Sequence, residues 1–226
     1  MTQLLYADLT YQLRGIGFQV HNDLGPGHNE QDYEIAFCYG MSDAGIIFRP
    51  QQKYYVHYRG QQVGEYIPDI VLADGKVILD LKATPQIETI HKAQVLSYTA
   101  VAGSELGLIM NFGGASLQFE RLPNFLESRQ RGESKIPLPV EGLYLELTHR
   151  VLDALFTVHR TLGPGFLHQV YRRASKIELS HCGVNYVYLK ELPLRYKGQV
   201  VSQKETRLLW IEGKILLATV ALSTIT

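Results

Sequence analysis

The chain has 226 residues, 46% of them hydrophobic, which is enough apolar material for one large or two small packed cores. Its 22 Lys and Arg residues equal its 22 Asp and Glu residues, which argues against coating of nucleic acid by bulk charge and leaves room only for a local basic groove. Two cysteines, Cys38 and Cys182, are too few for a disulfide framework or a zinc site, and neither reads as catalytic.

In chain order, Met1 to Asp8 lacks a basic segment followed by an apolar core, and no apolar run approaches a membrane span, so we expect a cytoplasmic protein with no membrane partner. A helix is expected from Asp8 to Asp23, where Leu9, Leu13, Ile16 and Val20 recur at helical spacing before Gly25-Pro26-Gly27 ends it. A second helix runs from about Asn29 to Ser42, with Glu30 in its first turn, a position the helix dipole favours for any carboxylate. Three strands follow, about Ile46–Tyr58, Gln61–Leu72 and Lys76–Ala83, the first two joined near Arg59-Gly60. A helix from about Glu88 to Ala102 carries Gln94 and Tyr98 one turn apart on one face, a pattern that an ordinary polar helix edge also produces. Strands at Leu106–Asn111 and about Ser116–Leu122 complete a mixed sheet flanked by helices, an α/β architecture.

The informative stretch is 66–83. Asp74-Gly75 suits a two-residue hairpin turn, because both central positions need φ > 0. With that turn, residues whose numbers sum to 149 face each other, so Asp69 lies opposite Asp80, and Lys82 shares the face of Asp80. Asp80 sits between Val77-Ile78-Leu79 and Leu81, in a strand that reads as covered on both sides, where a lone charge is costly. Two carboxylates and the backbone carbonyl of Leu81 would suit Mg²⁺ or Mn²⁺, with Lys82 orienting or deprotonating a water or holding a phosphate oxygen. Structural ion pairs, with Asp69 and Asp80 each meeting a basic residue and Lys82 a candidate for that partner, would satisfy the same pattern.

Asp69 followed after ten residues by Asp80-Leu81-Lys82 resembles the PD-(D/E)XK nuclease signature, with Asp80 in place of the commoner glutamate. Gly27, Glu30 and Tyr33 match a G-x-x-E-x-x-Y pattern and Gln94 and Tyr98 a Q-x-x-x-Y pattern, which together resemble the GxxExxY family of that superfamily over about residues 5–122. The resemblance implies a restriction-endonuclease-like core and a metal-dependent nuclease acting on DNA or RNA. It also implies that Glu30 completes the acidic cluster of Asp69 and Asp80, and that Gln94, Tyr98 and Tyr33 lie at the substrate, Tyr33 packing or hydrogen-bonding beside the acids.

The chain also resembles itself at an offset of 138: Leu24-Gly25-Pro26-Gly27 returns as Leu162-Gly163-Pro164-Gly165, Tyr33 as Tyr171, and Gly75-Lys76 as Gly213-Lys214. Two modules are therefore expected, 1–130 and 141–226, with a linker at 131–140 rich in Gly, Pro and charge. At the same offset Glu30, Asp69, Asp80 and Lys82 are replaced by His168, Arg207, Ala218 and Val220, so the second module is expected to be a degenerate and truncated scaffold that favours a homodimer. The readings to be weighed are a nuclease, a non-catalytic nucleic-acid- or protein-binding module on the same scaffold, and a glycoside hydrolase built on opposed carboxylates, which leaves Lys82 unexplained.

Overall fold

In the computed structural model, which describes residues 4–124 and 139–220, the first helix α1 spans Ala7–Leu24 and buries Leu13, Gly17 and Val20 along one face. Helix α2 (Glu30–Asp43) opens on a capping box, in which Asn29 Oδ1 accepts the Asp32 N–H at 3.0 Å and the Asp32 carboxylate accepts the Asn29 N–H at 3.3 Å. The strands β1 (Phe48–Pro50), β2 (Tyr54–Tyr58), β3 (Gln61–Tyr66), β4 (Ile70–Leu72) and β5 (Val77–Lys82) follow, then helix α3 (Thr89–Ala102) and strands β6 (Leu106–Asn111) and β7 (Gln118–Pro123). Five of them form a sheet in the order β1-β4-β5-β6-β7, in which β5 and β6 are parallel and the other pairs antiparallel, with α3 as the crossover that a parallel pair requires.

The two faces of this sheet differ. Val77, Leu79 and Leu81 join Leu106, Leu108 and Met110 in one core with Leu13 and Val20 of α1 and with Tyr33, Phe37 and Met41 of α2. The period of two sends Ile78, Asp80 and Lys82 to the opposite face, the one covered by α3. That covering is close: a Cβ on Gly107 of β6 would lie 2.4 Å from Val95 Cγ1. All six residues of β5 are buried, so its carboxylate and ammonium sit in a strand with no solvent-facing side.

The two long strands expected at Ile46–Tyr58 and Gln61–Leu72 are each broken in two. The apolar alternation runs on through both, but Pro50 and Pro68 have no N–H to give a ladder and Gln51 takes φ 47°. The outer halves pair as a separate two-stranded sheet, β2 with β3.

The chain divides into two compact units, one of residues 4–56 and 65–124 and the other of 57–64 and 139–220. The hairpin tip 57–64 therefore groups with the second unit, and positions 131–138 of the expected linker lie outside the described residues. The second unit holds α4 (Leu145–Leu162), α5 (His168–His181) and an antiparallel sheet of β8 (Tyr186–Tyr196), β9 (Gln199–Ile211) and β10 (Ile215–Leu217). Leu147, Val151 and Ala154 of α4 pack with Leu179, Val184, Leu209 and Ile211. Within this unit Glu178 of α5, 2% exposed, accepts the Tyr58 O–H at 2.6 Å and is gripped by Arg59 through Nε at 2.6 Å and Nη2 at 2.9 Å. Those bonds hold the Glu178 carboxyl down at about 2, against the burial that would raise it.

Candidate active site

The register that places the acids is set by the turn between β4 and β5. Ile70 faces Leu79, Val71 faces Ile78 and Leu72 faces Val77, the pairing expected from Asp74-Gly75. Asp74 and Gly75 both take positive φ, 52° and 93°, and Lys76 N–H closes the turn on the Ala73 carbonyl at 3.0 Å. Asp69 stands one residue before β4, at the next step of that register from Asp80. The backbone ladder ends there because Pro68 carries no N–H, and the Asp69 side chain takes over: its Oδ2 accepts the Leu81 N–H at 2.7 Å. The Asp69 carbonyl meanwhile accepts the Gln51 N–H at 2.8 Å, tying the residue to both neighbouring strands.

Lys82 gathers the remaining oxygens. Its Nζ lies 2.7 Å from Asp80 Oδ2, 3.5 Å from Glu30 Oε1, and donates to the Leu81 carbonyl at 2.9 Å. Asp80 is 1% exposed and Lys82 7%, whereas the Glu30 side chain is 45% exposed. The contact to Asp80 Oδ2 is an ion pair off the hydrogen-bond direction, so this buried oxygen has no hydrogen bond of acceptable geometry. Burial raises the Asp80 carboxyl to about 6 even with Lys82 opposing it, and burial, with Asp80 second, raises Asp69 to about 7. Burial works against the charge on Lys82, but Asp80, Glu30 and Asp69 outweigh it and its ammonium is held more firmly than usual. In this arrangement Lys82 is a donor and counter-ion, and removing its proton is disfavoured.

The oxygens around Lys82 Nζ are the hard donors that Mg²⁺ or Mn²⁺ takes, and the buried Asp80 Oδ2 is an acceptor still lacking a well-directed partner. The donor chemistry therefore fits such an ion. Among the described residues, however, no three His, Cys, Asp or Glu side chains are grouped closely enough to hold a metal without rearrangement. One Asp69 oxygen is engaged by the Leu81 N–H, while Glu30 and Asp80 contact Lys82.

Gln94 and Tyr98 of α3 are joined, the amide donating to the phenol oxygen at 2.6 Å, and burial raises the Tyr98 hydroxyl. Asp80, Asp69 and Lys82 all act electrostatically on Tyr98, which lies on the helix that covers their face of the sheet. Tyr33, expected at the substrate, is instead fully buried: its ring stacks on Phe112 with centroids 4.7 Å apart and its O–H donates to the Gly25 carbonyl at 2.6 Å. It fastens the turn ahead of α2 and so sets where Glu30 starts, while offering no surface to a ligand.

Sequence reasoning missed the support under Lys82. Asn111, beside Lys82 in the parallel pair and fully buried, receives Thr84 N–H at 2.9 Å and Gly113 N–H at 3.2 Å and donates to Thr84 O and Gln118 Oε1, each at 2.8 Å. A Cβ on Gly113 would stand 2.5 Å from the Ala83 and Thr84 backbone, so the loop leaving Lys82 is clamped between that glycine and Asn111. A buried Asn at a strand end followed by Gly113-Gly114 was the available signal.

A family model described as the PD-(D/E)XK nuclease superfamily matches residues 7–122 and 145–226. The mixed sheet flanked by helices agrees with the restriction-endonuclease-like core of that superfamily. No match was found among curated proteins. One solved structure, titled "Crystal structure of SSO0001", is 12% identical over 52% of this chain and 79% of that chain, with a TM-score of 0.30. With most of its length matched in two segments, the chain belongs to the PD-(D/E)XK nuclease superfamily.

Proposed function

We propose that the first unit is a metal-dependent nuclease that hydrolyses phosphodiester bonds in DNA or RNA. The observation carrying this reading is the convergence of Glu30, Asp80 and the Leu81 carbonyl on a single cationic atom, Lys82 Nζ. Those oxygens, with Asp69 after it turns from the Leu81 N–H, would hold one or two Mg²⁺ or Mn²⁺ ions. A bound ion supplies Lewis acidity, lowering the pKa of a water and offsetting charge on the phosphate. Lys82, released from its acids, orients the nucleophile or holds a phosphate oxygen, and the clamp of Asn111 and Gly113 keeps its strand end in place. Gln94 and Tyr98 donate to phosphate or to a base edge.

The G-x-x-E-x-x-Y and Q-x-x-x-Y matches support assignment to the GxxExxY family. The 138-residue offset supports a duplicated origin: α4 and α5 have 18 and 14 residues, as α1 and α2 do, and Tyr171 O–H donates to Gly163 O at 2.7 Å as Tyr33 does to Gly25. With His168, Arg207, Ala218 and Val220 at the positions of the acids and the lysine, the second unit acts as a scaffold, and a homodimer is the assembly we favour. Among the described residues no helix is long and apolar enough to cross a membrane. A second reading, a binding module on a nuclease scaffold, is favoured by the ion pair of Asp80 with Lys82 at 2.7 Å, which already supplies the buried charge with a partner.

The test is cleavage of labelled single- and double-stranded DNA and RNA in Mg²⁺, Mn²⁺ or EDTA, with wild type beside Asp80→Ala and Lys82→Ala. Metal-dependent cutting lost in both variants supports the nuclease and names its substrate. No cutting of any polymer, or cutting that survives both substitutions, overturns it in favour of the binding module.

A further inference from the structure

His91 lies on the face of α3 that already carries Gln94 and Tyr98, since positions 91, 94 and 98 follow the i, i+3, i+7 spacing of one helical stripe. Its ring is not free to choose its tautomer. Nδ1 accepts the Glu88 N–H at 3.0 Å, so in the neutral ring the hydrogen must sit on Nε2, which becomes a fixed donor. His91 is also among the groups whose charge acts on the Asp80 carboxylate, in keeping with its place on that stripe. A polyanion approaching Glu30, Asp69 and Asp80 meets repulsion, and neutral or cationic donors at the edge of that cluster are what an anion needs there.

We propose that His91 is a substrate-binding residue whose Nε2–H donates to a backbone phosphate oxygen of the nucleic acid, extending the Gln94 and Tyr98 pair into a three-residue phosphate-binding stripe. The proposal rests on the nuclease reading for the identity of the ligand. It accounts for a half-buried histidine that the metal-binding oxygens do not use, and it assigns the two ring nitrogens separate tasks, Nδ1 to the start of α3 and Nε2 to the ligand.

Two substitutions separate those tasks. His91→Asn keeps a side-chain acceptor near the position of Nδ1 and removes the Nε2 donor; His91→Gln keeps an amide donor near the position of Nε2 and gives up the acceptor. Fluorescence anisotropy with labelled single- and double-stranded DNA and RNA oligonucleotides, in EDTA and in Ca²⁺, gives the affinity, and thermal melting reports the fold. The expected result is that His91→Asn weakens binding about fivefold, the worth of one hydrogen bond, at an unchanged melting temperature, while His91→Gln binds within about twofold of wild type. Binding by His91→Asn equal to wild type overturns the assignment, as does weakening confined to His91→Gln together with a lowered melting temperature, which would make the ring a helix cap alone. Wild type that binds none of the oligonucleotides in either buffer defeats the nuclease reading itself and the His91 assignment with it.

Discussion

Strands β1, β4 and β5 of the first unit and the β8–β9 ribbon with β10 of the second occupy matching stretches of chain 138 residues apart, yet one is broken and the other runs nearly whole. Leu189 and Arg207 stand at the offsets of Gln51 and Asp69. The ribbon resumes its pairing past them after a register shift between Leu189 and Glu191, with a second shift between Leu194 and Arg195, Arg207 at φ 53° and an Arg207–Glu205 ion pair at 2.6 Å on its exposed surface. In the first unit the ladder stops at the same place, and the Asp69 carboxylate replaces the missing backbone bond. The comparison teaches that the acid is held by an interruption of the sheet, so residue identity alone does not make the site.

Four measurements break or sharpen that comparison. The largest effect is expected from Asp80→Ala, with activity falling about 10³-fold or more in a steady-state cleavage assay. The converse graft on Asp80→Ala, adding Arg207→Asp, Ala218→Asp and Val220→Lys together, restores nothing, because Ala218 and Val220 lie beyond the end of β10. Recovery of cutting by the graft would show that residue types suffice. Next is Gly113→Ala, which drives a methyl into the Ala83 and Thr84 backbone; denaturant titration should show a loss of about 2–3 kcal/mol, together with reduced cleavage as the Lys82 strand end shifts.

Glu178→Ala acts on the second unit, where the acid stands at the offset of Gly40. It leaves the buried Tyr58 hydroxyl without its acceptor, a cost of about 1–3 kcal/mol in chemical unfolding, and a neutral result would mean that the hairpin tip is held by other contacts. The smallest effect is on pH. Asp69 and Asp80 have folded-state carboxyls near 7 and 6, above the ordinary aspartate value of 3.8, so the folded state without an ion holds more protons than the unfolded one between those limits. Stability from these groups is thus full below about 4 and falls as pH rises, the loss being complete once pH passes about 6 to 7, so melts in EDTA should decline from about pH 4 to about pH 7. Asp69→Asn should flatten the fall, and a rise in stability would place the raised carboxyls elsewhere.

The hairpin register was legible because Asp74-Gly75 is a strong local instruction and the apolar period of two carried it to Asp69 and Asp80. The strand breaks were written in Pro50 and Pro68, but the alternation on either side of them reads as continuous, and period outweighed punctuation. Glu30 was reachable through a motif, since nothing local brings the start of α2 to the end of β5. Asn111 and Gly113 left only a faint mark, a polar residue closing an apolar strand ahead of a glycine pair, and Glu178 left none, because each acts on a segment distant in sequence and spacing records nothing of that contact. Tyr33 was legible as a motif position without its task, which depends on a carbonyl eight residues away.

Lys82 standing among the oxygens has a consequence for how the protein comes into being. A cluster of three acids around an empty seat would oppose the closing of the sheet until an ion arrived. Here one side chain from the same strand offsets part of that charge within the fold itself, so under the proposed function assembly of the fold would not depend on loading of an ion. On the proposed nuclease reading, an ion would enter by exchange with an ammonium already in residence, and the chain would fold first and meet its ion afterwards.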